Sequence, residues 1–383
     1  MLLVADCLGA GGAERQLALL AASLPPDWEC RVWSFGDGPF EGILRSRGIV
    51  AEVAARGFRL DPRPIVSLHR LIRVWRPDIV HSWGWMSSLA CLAVCRLHHV
   101  PFVNGGIRTG ALPPRRKWVS KLVADRSSCV VANSRAGLAA WKVPPRKGRV
   151  VYNGFEFQRL QGLACANTQR DRFQVVMAAR MTREKDFPLF CEAARHLDRA
   201  EPGRWHFTAI GDGHLRTSLM QNYRDVVASG ALELVGFVEE VLPLLARADV
   251  GVLLTDSAVA REGCSNAIME YMACGLPVLC TDGGGNPELV ESGRTGLVIP
   301  ANSLPDLVES LTLLRDDDAV RCRLGEAGAR RLLENHSPAA MAEAFTAVYE
   351  DVIDRCTCRG GTMTLKHTGS MRQEQCGRSG CAE

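Results

Sequence analysis

The chain has 383 residues, 47% of them hydrophobic and 23% charged, with a formal charge of +4. That length suits two domains of roughly 150–200 residues rather than one core, and the composition is that of an ordinary globular protein. The best apolar run, Leu89 to Leu97, is about half the ~20 residues that a membrane span needs and contains Arg96, which excludes a membrane-spanning class.

Met1 is followed almost at once by strand-like LLVAD, so no basic and apolar leader is expected and the chain reads as cytoplasmic. The first body then alternates strands with helices. LLVADCL precedes a helix near Ala13–Ser23, CRVWSF a helix near Phe40–Arg47, and IVAEVA a helix near Pro64–Arg73. DIVHSW precedes a helix near Met86–His98, and PFVNGG, SCVVAN and RVVYN add β-rich segments. Residues 156–170 are polar and aperiodic and are expected to link two bodies. Alternation resumes with FQVVMAAR, a helix near Pro188–Asp198, WHFTAIGDG and a helix near Leu215–Ser229. LELVGF, VGVLLTD, a helix near Asn266–Cys274, LPVLCTD and TGLVIP follow. Two last helices are expected near Leu304–Arg315 and Pro338–Asp354, and an aperiodic tail, expected to be disordered, over 356–383.

This grammar predicts an α/β protein of two parallel-sheet domains, 1–155 and 171–337, with a cleft between them. Residues 338–355 are expected to form a helix crossing back to the first domain. Charge divides along the same line. Residues 1–160 hold 23 Lys and Arg against 11 Asp and Glu, and residues 161–355 hold 19 against 29. Open parallel sheets bind ligands beyond the carboxyl ends of their strands. Candidate chemistry is therefore sought in post-strand loops.

The sharpest candidate is Arg261-Glu262-Gly263-Cys264-Ser265-Asn266 leading into a helix that contains Glu270 and ends at Gly275-Leu276-Pro277. Ser265 or Asn266 can cap that helix, and amides from Gly263 to Asn266 can meet an anion or a sugar hydroxyl. Ionised Glu262 and Glu270 are pure acceptors, suited to paired hydroxyls. Arg180 and Lys185, in the loop after FQVVMAAR, offer two cations to a diphosphate. Gly9-Ala10-Gly11-Gly12-Ala13-Glu14-Arg15 follows the first strand. As a dinucleotide fingerprint it fails, because the third glycine position is Glu14. His81 ends the strand in DIVHSW. Gly211-Asp212-Gly213, Gly236-Phe237 and Gly283-Gly284-Gly285-Asn286-Pro287-Glu288 each follow a strand.

Taken in order, these segments resemble the family-four retaining glycosyltransferases of GT-B fold over residues 1 to about 355. Glu262 and Glu270 match that family's E-x7-E element, which implies that Glu262 lies at the transferred sugar and Glu270 at the nucleotide ribose. The family commonly has Phe where this chain has Cys264. Arg180 and Lys185 match its phosphate-binding pair, which acts without a metal. The resemblance implies donor contacts also from Gly11, Gly12, Gly263, Cys264, Ser265, Asn266, Gly211, Gly236, Phe237 and Glu288. It implies a catalytic-site contact from His81, although Trp83 stands where the family often has a second His. Glu14, Arg15 and Arg108 are the acceptor-side candidates.

The implied reaction moves a sugar from an NDP-sugar co-substrate, expected to be UDP-linked, to a hydroxyl on a glycan or lipid-linked acceptor. Configuration is retained, and no metal or other cofactor is expected. The competing readings are a GT-B-like nucleotide-sugar epimerase or sugar phosphorylase, and a non-catalytic nucleotide-sugar-binding subunit. The basic stretch Arg108, Arg115, Arg116, Lys117 and Lys121 fits peripheral contact with an anionic membrane. Nucleic acid is not expected, since no recognition motif accompanies the charge. The fifteen cysteines lack paired metal-ligand spacing and read as reduced thiols.

Overall fold

The computed structural model describes residues 1–58, 61–107, 117–163, 171–256, 259 and 261–359. The expectations placed on Arg108, Arg115 and Arg116, and on the tail beyond residue 359, lie outside the described residues.

The first body runs β1 (Leu2–Ala5), α1 (Gly12–Ser23), β2 (Arg31–Ser34), α2 (Pro39–Ser46), β3 (Val50–Val53), α3 (Arg63–Trp75) and β4 (Val80–Ser82). It continues with α4 (Trp85–His98), β5 (Phe102–Ile107), α5 (Lys117–Arg126), β6 (Cys129–Ala132), α6 (Arg135–Ala140) and β7 (Gly148–Val150). The second runs β8 (Phe173–Ala178), α7 (Phe187–Ala200), β9 (Trp205–Ile210), α8 (Arg216–Asn222), α9 (Arg224–Ala228), β10 (Leu232–Gly236) and α10 (Leu242–Leu245). There follow β11 (Val250–Leu253), α11 (Asn266–Ala273), β12 (Val278–Thr281), α12 (Asn286–Leu289), β13 (Gly296–Ile299), α13 (Leu304–Asp316), α14 (Asp318–Asn335) and α15 (Pro338–Arg359).

Among the described residues the strands form two all-parallel sheets, ordered β3-β2-β1-β4-β5-β6-β7 and β10-β9-β8-β11-β12-β13. Both strand orders reverse once, at β1/β4 and at β8/β11. Helices cover both faces of each sheet, so the central strand β1 is apolar on both sides: Leu2, Leu3 and Val4 are all fully buried. The face of the first sheet under α1 and α2 also receives α15, whose Met341, Phe345, Tyr349 and Val352 pack with Leu17 and Leu20. That spacing of four, four and three residues is one helical stripe. The final helix therefore belongs to the first body's core.

Several features depart from the sequence expectation, among them the helices α5, α6, α10 and α12 and the four that follow. α14 was not foreseen, because its buried positions are Leu324, Gly325, Gly328 and Leu332, too few of them apolar to show a period. A Cβ at Gly325 would lie 2.1 Å from the Gly275 carbonyl oxygen, so glycine lets α14 approach the backbone after α11. The helix expected over Leu215–Ser229 breaks at Tyr223 into α8 and α9. α15 runs to Arg359, so Cys356 and Cys358 are exposed helical residues rather than tail. The polar stretch after Phe155 carries a 3-10 turn, Phe157–Leu160, and Phe157, Leu160 and Leu163 pack on the second body's core.

Candidate functional site

The reversal at β8/β11 opens a crevice where the loops after two neighbouring strands diverge, which is where doubly wound sheets bind ligands. The β8–α7 loop carries Arg180 and Lys185, and Asp186 ends it by accepting the Leu189 amide at 3.1 Å as the cap of α7. Lys185 forms an antiparallel bridge with Thr255, just after β11. Its ammonium pairs with Glu262, and Thr255 Oγ1 donates to the same carboxylate oxygen at 3.2 Å. The Lys185 and Glu262 side chains are only 14% and 18% exposed, whereas Arg180 is 81% exposed, 3.7 Å from Glu184. The structure thus joins Lys185 to Glu262 and leaves Arg180 at the rim.

The backbone of Glu262 is held from behind by the loop after β12. The Gly285 amide donates to the Glu262 carbonyl at 2.9 Å. Gly284, at φ +60°, comes so close that a Cβ there would sit 2.1 Å from that oxygen. Two glycines are needed for this backbone-on-backbone contact. Ser265 caps α11 by accepting the Ile268 amide. Cys264 is buried in the second body's core, and its carbonyl accepts Asn153 Nδ2 at 2.9 Å. Through its carbonyl, the residue that departs from the family pattern meets the first body.

Glu270 lies on α11 one turn beyond Asn266. Arg15 Nη1 donates to Glu270 Oε1 at 2.7 Å, and both terminal nitrogens of Arg159 reach the same oxygen at 3.1 Å. Among the described residues Oε2 receives none of these bonds. Arg159 also grips Glu240, beyond β10, at 2.8 and 3.2 Å. Burial opposes its charge, yet the two carboxylates hold its pKa above the ordinary value. Beside Glu240, Gly211 donates its amide to the Gly236 carbonyl at 2.7 Å, and Phe237 projects 67% exposed. Two charged groups thus form beyond the strand ends, Arg15–Glu270–Arg159–Glu240 and Lys185–Glu262.

The other predicted residues take the following places. His81 is fully buried, shares a 2.7 Å hydrogen bond with the Tyr349 hydroxyl and packs on Trp83 and Phe345. It anchors α15 at the end of β4. Tyr349→Phe is accordingly expected to cost about 1–3 kcal/mol of stability while leaving kcat within twofold, as paired denaturation and steady-state measurements would show. Asn266, a donor-site candidate, stitches the seam between the bodies with its side chain. Oδ1 accepts from Asn153 at 2.9 Å and Gln16 at 3.3 Å, and Nδ2 donates to the Gly12 carbonyl at 3.2 Å. A Cβ on Gly12 would meet that nitrogen at 2.4 Å, so Gly12 permits this approach. Gly11 precedes α1 as its cap, and Glu14 accepts from the Cys7 thiol at 3.4 Å.

Glu288 likewise faces the first body, accepting the Arg135 and Ala136 amides at 2.9 and 2.8 Å and the Tyr152 hydroxyl at 2.8 Å. Burial and this carboxylate push the Tyr152 pKa up to about 12. Arg15, an acceptor-side candidate, crosses to Glu270. Sequence reasoning missed Arg159, Thr255, Glu240 and Gln16. Arg159 carried no signal, since it stands alone in an aperiodic stretch.

Comparison with known proteins matches residues 10–159 to the family described as Glycosyltransferase Family 4, and residues 172–317 to Glycosyl transferases group 1. A lipopolysaccharide core biosynthesis glycosyltransferase, LpsE of Rhizobium meliloti, is 25% identical over 290 residues, covering 73% of this chain and 78% of that one. The UDP-Gal:alpha-D-GlcNAc-diphosphoundecaprenol alpha-1,3-galactosyltransferase of Escherichia coli is 24% identical over 67% of this chain and 71% of its own length. Among solved structures, Anabaena Alr3699/HepE in complex with UDP and glucose superposes with a TM-score of 0.79 at 20% identity, covering 91% of this chain and 99% of that one.

Proposed function

The chain belongs to the group 1, family 4 glycosyl transferases and has the GT-B fold, and from that premise we propose that it is a retaining, metal-independent transferase that uses a UDP-linked sugar. The acceptor is a hydroxyl on a glycan or a lipid-linked glycan, a reading supported by the names of the relatives in lipopolysaccharide and diphosphoundecaprenol chemistry.

The observation that carries the donor reading is Glu270. Its Oε1 is saturated by two arginines while Oε2 takes no bond from either, which leaves an acceptor for a ribose hydroxyl. In this arrangement Phe237 receives the base, and Lys185, with Arg180 turning in from the rim, meets the diphosphate. Glu262, partnered by Lys185, meets the sugar. Negative charge grows on the departing diphosphate, and Lys185, already fixed beside it, lowers the barrier without reorganising. Holding donor and acceptor between two bodies makes their encounter effectively intramolecular.

A thermal-shift screen with UDP, GDP, ADP, dTDP and their sugars tests this. At 100 to 1,000 times its dissociation constant the right nucleotide raises stability by about 2.7–4.1 kcal/mol. Uridine ligands are expected to do so, and Arg180→Ala to abolish most of the shift. Stabilisation by NAD(H) instead, or by no nucleotide in a folded sample, overturns the reading. Retention is read separately, from the anomeric configuration of the first-formed product by NMR.

A further inference from the structure

α3, α4 and α5 lie side by side on one face of the first sheet, held there by Leu68, Ile72, Cys91, Val94 and Val123. These helices, of 13, 14 and 10 residues, contain seven Arg or Lys and a single acidic residue, Asp125. The opposite face differs: α1 and α2 each carry a glutamate in the first turn, and α15 alone has four acidic residues. The basic face is also apolar where water should be. Val74 is 82% exposed, Trp118 72% and Leu97 65%, one on each helix. Beside α3, against β2 and the edge strand β3, runs a groove of about 780 Å³ whose lining includes Arg31, Arg63, Arg70, Val74 and Trp75, with Glu52 as its one acidic residue. Among the described residues Arg70 makes no ion pair.

We propose that this face docks on an anionic phospholipid bilayer, with Val74, Leu97 and Trp118 entering the interfacial layer and the arginines meeting lipid phosphates. Charge decides the occupant. A second copy of the chain would set a cationic face against itself, and a nucleic acid would leave the interleaved aliphatic side chains in water. A bilayer surface satisfies both chemistries at once. Among the described residues no helix is long and apolar enough to cross a membrane, so the contact lies at the surface. This inference goes beyond the donor site and stands without it.

Co-sedimentation of the full chain with vesicles tests it, in the absence of donor and acceptor, so that the outcome is independent of the transferase reading. Binding to phosphatidylcholine–phosphatidylglycerol vesicles is expected to exceed binding to phosphatidylcholine alone by about tenfold or more and to weaken with added salt. Arg70→Glu with Arg73→Glu, and separately Val74→Asp with Leu97→Asp, should each lower it by about tenfold. Leu333→Asp, on exposed α14 of the second body, should leave it unchanged. Circular dichroism confirms that each variant is folded. Equal binding to neutral vesicles, wild-type binding by both pairs, or a dimer in light scattering that Val74→Asp dissolves, would overturn the proposal.

Discussion

Lys185→Ala is expected to lower kcat by about 10²–10³-fold, the size of effect seen when one fixed charge-stabilising donor is removed from an active site. The ammonium sits at the β8/β11 reversal, largely shielded from water and already oriented by Glu262 and by the backbone bridge to Thr255. In water a lysine would have to be gathered and desolvated for each event; here that ordering is complete before the donor arrives. Lys185→Arg keeps the charge but spreads it over a planar fork in a confined space, so partial activity is expected. Steady-state kinetics over donor concentration separate the terms, because loss of charge at the leaving group falls on kcat more than on KM. A kcat within threefold of wild type would remove Lys185 from the chemistry. Glu262→Gln serves as the reciprocal check: it retains the shape and loses the partner charge.

Arg159→Ala is expected to cost about 2–4 kcal/mol of stability and to raise the donor KM by about tenfold. Arg159 is 13% exposed and neutralises Glu270, itself 9% exposed, together with Glu240. Removing Arg159 leaves the buried Glu270 charged with one partner fewer, which is costlier than the net worth of the pair, while half-exposed Glu240 regains water. Without Arg159, Glu270 is held through Oε1 by Arg15 alone, from across the cleft, and its free oxygen loses a fixed direction. The purely structural account predicts lower stability with an unchanged KM; the positioning account predicts that both move. Arg159→Ala combined with Glu240→Ala should recover part of the stability but not the donor affinity, a coupling that a double-mutant cycle reads directly. Unchanged denaturation and unchanged KM in Arg159→Ala would show the cluster to be ornamental.

The two sheets were legible because both obey local rules. Most strands are short apolar runs, and their length and flanking turn residues distinguish them from the helices. The E-x7-E element was legible for a similar reason, since its loop, cap and helix are contiguous. So were the glycines after β12, although their function was not: Gly284 and Gly285 are there to admit the backbone of Glu262 and Gly263. α14 was hidden because glycines, not apolar residues, face its partner.

What the sequence determined by itself was therefore the alternation, the two bodies and the residues that end strands, all set by interactions within a few positions. What only the tertiary structure decided was the partner each charged group meets. His81 and Lys185 both lie at or just beyond strand ends, yet one is sealed under Tyr349 of α15 and the other opens on the crevice. Arg15, Arg159 and Glu270 are joined across separations of 255 and 111 positions. No local pattern encodes such a meeting. It follows from where two parallel sheets, each reversing its strand order once, bring their loops together.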